Sequence, residues 1–310
     1  MTAYNLKNQM NTWGPFEDHE FQWHLFSIGN PNEGHGLALP RAIDDFHAKF
    51  IAYKLEQKTG QRYLAHIPFT TDRCGPVAKD WAPAWLPWQE FFDKTIEFIK
   101  YHLNLVRERG ERVKKVMIIV GHGGNADLTK KKYQTQMENT LNLEKCIILP
   151  ATISGKDTLH ILSKLEPLAQ EQLKLYDKKY GCEDVEELAF LYSRILMTAG
   201  HASHAEHSLA AAMGVCDMNK INTMNHLLEK DFEKALQKWP PIGGLGGYLL
   251  KGGKYTDALG TEDNDKYGLW NCLNGLKSLN NRKLIVVPEL GRLVQEKSLE
   301  LKEEVIKQNM

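Results

Sequence analysis

The chain has 310 residues, 42% hydrophobic and 25% charged, the profile of a soluble folded protein of one large domain or two smaller ones. Lys+Arg and Asp+Glu both total 39, so the formal net charge is zero. That balance offers neither the basic surface a nucleic-acid partner needs nor an acidic tail, and the longest apolar runs, about six residues, are too short to cross a bilayer.

The stretch MTAYNLKNQMNTWGPFEDHE (1–20) is polar and reads as an arm. It lacks the charged-then-apolar pattern of a signal, so a cytoplasmic location is expected. Phe21 to Gly29 predicts a first strand. It delivers Asn30 to His47 (NPNEGHGLALPRAIDDFH), where Glu33, His35, Asp44, Asp45 and His47 crowd together. Asp45 to Gly60 has helical apolar spacing at Phe46, Phe50, Ile51 and Leu55 and stops on a glycine. Leu64 to Phe69 predicts a short strand, and Thr70 to Pro87 an irregular segment carrying Trp81 and Trp85. Trp88 to Arg109 predicts an amphipathic helix. Val116 to Val120 (VMIIV) reads as a strand buried on both faces. Helical pattern covers Ala126 to Asn142, then strand again at Cys146 to Leu149. Asp157 to Tyr180, Asp184 to Thr198 and Ala205 to Met213 read as helices. Leu284 to Val287 (LIVV) predicts a late strand and Leu293 to Gln308 a terminal helix. Cys74, Cys146, Cys182, Cys216 and Cys272 are scattered without a C-x-x-C pair and read as free structural thiols.

Strands alternating with helices predict an α/β fold whose mostly parallel central sheet is covered on both faces. No linker or internal repeat divides the chain, so residues 1–310 are expected to form a single domain. In such folds active sites collect beyond the carboxyl ends of the strands. Three stretches lie at such ends. In the first, Glu33 and His35 are two apart and point the same way in an extended segment. Asp44, near a helix start, can reach back toward them. The bland alternative is a polar loop with one N-capping Asp. The second stretch, Gly121-His122-Gly123-Gly124-Asn125, follows VMIIV, and its glycines permit close backbone approach. It lacks the spacing of a phosphate loop. The third, His201 to Ser208 (HASHAEHS), crowds His201, His204, Glu206 and His207. It is not an H-E-x-x-H zinc motif, and no G-x-S-x-G marks a serine hydrolase. Together, Glu33, His35, Asp44, His122 and Glu206 offer two imidazoles and three carboxylates. That mix suits zinc or manganese, with a carboxylate able to bridge two ions. The glycine-rich Gly243 to Gly253 reads as a mobile or packing loop.

E-G-H-G-L-A-L-P-R-A-I-D (33–44) resembles the E-x-H-G-x-H-L-P-x-x-x-D motif of the creatininase (creatinine amidohydrolase) family. GHGGN (121–125) is similar to the second motif of that family, HASHAEHS (201–208) to its H-A-G-E-x-E-T-S, and residues 255–268 loosely to a late G-D-P-x-x-A-T-x-E-K-G. The resemblance spans roughly residues 20–280 in order. It implies a three-layer α/β/α fold, two divalent ions held by Glu33, His35, bridging Asp44, His122 and Glu206, and a ring-shaped hexamer. It also implies hydrolysis of a small molecule's amide or cyclic amide C–N bond by a metal-bound hydroxide, with His201 giving a proton to the leaving nitrogen or clamping the oxyanion. Cleavage of a ring ketone such as an oxidised inositol by the same fold is the alternative reaction. A non-catalytic metal- or sugar-binding module is a third reading, which an intact His201 counts against.

The chain departs from the family pattern at Leu37, Ala38, His204 and His207, and has Gly124 where creatininase itself carries a Glu. The wider family's metal set stays complete, but these changes count against creatinine as the substrate. His204 and His207 are expected to contact substrate. Trp85, in the cluster with Trp81 and Trp88, is expected either to close over a bound ring or to pack against another subunit.

Overall fold

A computed structural model of the chain describes residues 21–72, 82–153, 155–175, 182, 184–197, 201–239, 260–261, 264–265 and 284–310. Four parallel strands form the central sheet: β1 (Trp23–Ile28), β2 (Arg62–Ile67), β3 (Lys115–Val120) and β4 (Lys145–Pro150), in the order β2-β1-β3-β4. Side chains alternate across it. Trp23, Leu25, Met117 and Ile119 pack on one face against α1 (Ile43–Thr59) and the terminal helix. Phe26, Ile28, Val116, Ile118 and Val120 pack on the other against α2 (Trp88–Glu108) and α3 (Lys131–Leu141). Burial on both faces is why these strands read as apolar runs, and it gives the three-layer α/β/α architecture. Each fully buried Leu, Ile or Phe contributes roughly 1.5–3 kcal/mol, so these two clusters dominate the stability of the sheet.

Further helices follow: α4 (Gly155–Leu162), α5 (Leu165–Leu175), α6 (Val185–Met197), α7 (His204–Ala212), α8 (Met218–Lys230) and α9 (Phe232–Lys238). A two-residue antiparallel pair, β5 (Gly260–Thr261) and β6 (Asn264–Asp265), precedes α10 (Pro288–Gln308). Among the described residues no helix is long and apolar enough to cross a membrane.

Four expectations change. Leu284 to Val287 is not a strand. Its backbone N–H groups bond to side chains instead: Leu284 N to Asn225 Oδ1, Ile285 N to His204 Nδ1 and Val287 N to Ser208 Oγ. With these donors spent on helices α7 and α8, the segment has none left for a ladder at those positions. The helical pattern from Asp157 breaks into α4 and α5, and the pattern from Ala126 begins as a 3-10 turn (Gly123–Thr129). Phe46 is 42% exposed, because the inward face of α1 carries Ile43, Asp44, His47, Ile51 and Leu55. Helices α8 and α9, which the apolar pattern had not suggested, are each capped by an aspartate: Asp217 accepts from Asn219 N and Lys220 N, and Asp231 from Lys234 N. The N-terminal arm, Trp81, Cys74, Cys272 and the Gly243 to Gly253 loop lie outside the described residues.

Strand order reverses between β1 and β3: β1 leads through α1 to one neighbour, and β2 leads through α2 across to the other side. The crevice beyond the carboxyl ends of β1 and β3 is therefore the topological switch point, where α/β sheets place their ligands.

Candidate metal centre

The first turn of α1 lies directly on the ends of β1 and β3. A Cβ on Gly29 would sit 2.5 Å from Asp45 N, and one on Gly121 only 2.2 Å from Asp44 O. Glycine at both strand ends is what allows the contact. Asp44 is thereby held over the seam between the strands. Asp45 turns the other way: its Oδ1 lies 3.0 Å from His66 Nε2, and its Oδ2 3.8 Å from Lys49 Nζ. His66 in turn bonds Ser27, which bonds Tyr63. Asp45 thus ties α1 to β2.

Glu33 and His35 reach the same point along the loop from β1. Glu33 N donates to Arg41 O, closing that loop, and Asn30 Nδ2 donates to Glu33 Oε2. His122 follows β3 directly, with Nδ1 2.9 Å from Glu33 Oε2 and 2.8 Å from Asp44 Oδ2. Glu206 comes from the first turn of α7, whose N-cap Ser203 accepts from Glu206 N. Glu206 Oε2 accepts from Ala202 N, while its Oε1 faces His35 Nε2 at 3.5 Å. His35 Nε2 is also 3.6 Å from Asp44 Oδ1, and His35 Nδ1 donates to Glu33 O, which leaves Nε2 as the lone-pair nitrogen.

The result is two groups with ligand atoms within 4.8 Å of one another, Glu33–Asp44–His122 and His35–Asp44–Glu206, sharing Asp44. A third, Glu33–His35–His201, adjoins them. His201 Nε2 donates to Gly34 O at 2.7 Å, and its Nδ1 lies 3.2 Å from Glu33 Oε1.

Electrostatics follow from burying this charge. Burial pushes Glu33 up to about 7, against the pull of His122. Burial would raise Asp44 too, but His35 and His122 hold it well below the usual carboxylate range. His35 is opposed by burial yet raised well above its ordinary value by Glu206 and Asp44. His122 is likewise opposed by burial and raised by Asp44, Asp72 and Glu33. His201 is lowered by burial and then by His35. His35 Nε2 and Asp44 Oδ2 are buried in the cluster without a hydrogen-bond partner. Three carboxylates, two imidazoles and orphaned polar atoms at one point are a donor set that a divalent ion satisfies.

A cavity of about 610 Å³ opens from this cluster. Glu33, Asp44, His47, Asp72, His122, His201 and Glu206 form its polar end, and residues such as Ile43, Ile153, Leu209, Leu290 and Val294 its apolar wall. His204, His207 and Trp85 are not among the described residues lining it. His204 Nδ1 accepts from Ile285 N, and His207 Nδ1 donates to Ser203 O. Burial pushes both imidazoles down to about 4. Trp85 Nε1 donates to Asp72 O, and Trp88 packs on Phe91, Phe92 and Tyr133 in the core. Sequence reasoning had passed over Asp72; its one signal was a position just beyond the carboxyl end of β2, shared with the other strand-end residues.

No family model matches the chain, and no curated protein does. Among solved structures it is similar to a creatinine amidohydrolase (creatininase), 13% identical over 92% of this chain and 89% of that one, with a TM-score of 0.45. It is similar to a mutant creatininase complexed with creatine, 11% identical over 93% and 92%, with a TM-score of 0.48. It is also similar to a putative creatinine amidohydrolase from Bacteroides fragilis NCTC 9343, 12% identical over 96% and 92%, with a TM-score of 0.44.

Proposed function

We propose that the chain is a metal-dependent hydrolase that opens the C–N bond of a neutral amide or cyclic amide. The observation that carries this is the sharing of Asp44 between two ligand triads at the sheet's switch point. Glu33, Asp44 and His122 would hold one divalent ion and His35, Asp44 and Glu206 a second, zinc or manganese by ligand type. When bound, the ions supply Lewis acidity, polarising a carbonyl and making water acidic enough to lose a proton near neutral pH.

The chain's own residues do the rest. His201, oriented through Nε2 by the Gly34 carbonyl, presents its unprotonated Nδ1 beside Glu33; there it would accept a proton released by the attacking water and pass it to a leaving nitrogen. The apolar wall excludes water and strengthens each charge interaction at the polar end. No Lys or Arg is among the described lining residues, so those residues offer an anionic substrate no counter-charge. The cavity suits a neutral body larger than creatinine. The test is metal analysis followed by a turnover screen of cyclic amides, formamides and inososes. The expected result is up to two divalent ions per chain and amide turnover that Glu206→Gln and His201→Ala abolish. A chain that takes up no divalent ion overturns the reading; turnover confined to inososes moves it to C–C cleavage.

A further inference from the structure

Asp72 lies on the segment following β2 and is only 7% exposed. Its backbone is anchored on several sides. Asn125, fully buried, accepts at Oδ1 from Thr71 N (3.0 Å) and Thr70 Oγ1 (3.2 Å), and its Nδ2 donates to Gly29 O (2.9 Å). Thr71 Oγ1 donates to Leu86 O, and Trp85 Nε1 donates to Asp72 O. One side chain of the GHGGN stretch thus locks the loop after β2 to the end of β1. Gly124 completes the fit. A Cβ there would meet Asp72 Cα at 2.8 Å, Thr71 O at 2.8 Å and His122 Nε2 at 2.3 Å. The backbone of Thr71 and Asp72 fills the space that any larger residue at 124 would need.

The locked loop brings the Asp72 carboxylate against the His122 ring. His122 directs Nδ1 into the cluster, against Glu33 and Asp44, and turns Nε2 outward, 3.5 Å from Asp72 Oδ2. That is an ion-pair contact, longer than a good hydrogen bond. Imidazole can offer a lone pair at only one nitrogen while the other carries a proton. A carboxylate on the outer nitrogen holds the proton there and leaves Nδ1 as the ligand, with its ring plane fixed.

We propose that Asp72 is the positioning residue for His122, the carboxylate that fixes its tautomer and ring orientation toward the ion at Glu33 and Asp44. This rests on the metal-centre reading above. Asp72→Asn keeps the shape of the side chain and can bond Nε2 through its amide oxygen, but removes the charge; Asp72→Ala removes both.

Zinc affinity is measured for the wild type and both variants by competition with a chromophoric chelator. Circular dichroism and the melting temperature of the metal-free chains establish that the fold is kept. The expected result is affinity weakened roughly 10-fold in Asp72→Asn and nearer 100-fold in Asp72→Ala, the range for loss of such a partner. On the zinc-loaded proteins, ¹⁵N NMR of His122 should show Nδ1 metal-bound in the wild type and an Nε2–H resonance that shifts in Asp72→Ala, a change that a merely structural Asp72 would not produce. A wild type that takes up no zinc overturns the metal reading and this proposal with it. A wild type that binds zinc while both variants match it within twofold, or a spectrum with Nε2 on the metal, overturns this proposal alone.

Discussion

Lys302 makes an unusual demand on the fold. It lies on α10, 3% exposed, with Nζ donating to Ser298 Oγ at 2.6 Å and Ser298 O at 3.3 Å; Ser298 Oγ in turn donates to Ala151 O at the end of β4. Burial pushes its ammonium group down from 10.5 to about 7, with Asp157 pulling the other way. The folded chain therefore disfavours the charged form, and the penalty is full below about pH 7 and gone above 10.5. At 1.36 kcal/mol per pH unit, the gap from 10.5 to about 7 makes that penalty up to ~5 kcal/mol. Lys302→Met removes it, along with two hydrogen bonds worth about 1 kcal/mol each. The variant should be more stable than wild type by about 2–3 kcal/mol at pH 7. Between about pH 7 and 10.5 the wild type, whose unfolded chain binds one more proton, should gain about 1.4 kcal/mol per pH unit on the variant, and the order should reverse at about pH 9. His47, pushed down to about 4 by burial and then by Lys302, titrates below this window. Urea unfolding of both proteins at one-unit pH steps measures the difference. A gap that stays flat across the window would refute the reasoning.

A methyl group at Gly121 would have to displace Asp44 O from 2.2 to about 3.0 Å, several times the ~0.2 Å tolerance of a metal bond, so Gly121→Ala should lose tight divalent binding in a calorimetric titration. Undiminished affinity would show that Asp44 is not held by this contact. Asp44→Asn should abolish metal uptake, whereas Asp45→Asn should keep it and lower the melting temperature through the lost His66 pairing; loss of metal in the second variant alone would exchange their roles. Chelator treatment should lower the melting temperature, and zinc restored at a hundred times its dissociation constant should return ~2.7 kcal/mol of stability.

How much of this was legible beforehand depended on how far apart the cooperating residues are. Glu33 with His35 and VMIIV with GHGGN could be read because spacing within one segment fixes direction. The buried strands gave themselves away by apolar runs. Leu284 to Val287 misled for the same reason: it is apolar because Leu284, Val286 and Val287 are buried against helices, and composition does not say whether its N–H groups meet a strand or side chains. His204 and His207 share the stretch of His201 and Glu206 but meet Ile285 N and Ser203 O, contacts that the density of histidines alone cannot distinguish from a pocket. Asp72 and His122 are fifty residues apart and meet only because Asn125 gathers two loops, which no local pattern reveals.

The centre also shows why the fold must be tightest where its charges are least comfortable. Burying Glu33, Asp44 and Glu206 together opposes the ionised form of each. Left alone, such groups would separate or take up protons. Here they cannot separate. Asp44 is fixed by two glycine contacts, Glu33 by the Arg41 carbonyl and Asn30, and Glu206 by the cap of α7 and Ala202 N. His35 and His122 meet part of the negative charge, which raises their own affinity for protons. A site whose carboxylates are each anchored by backbone, glycine contacts and a helix cap is one that loses little entropy when a cation arrives. Loosening any of the anchors should therefore cost more in metal affinity than in folding stability, and the ratio of those two losses, variant by variant, separates a built metal centre from a merely crowded acidic loop.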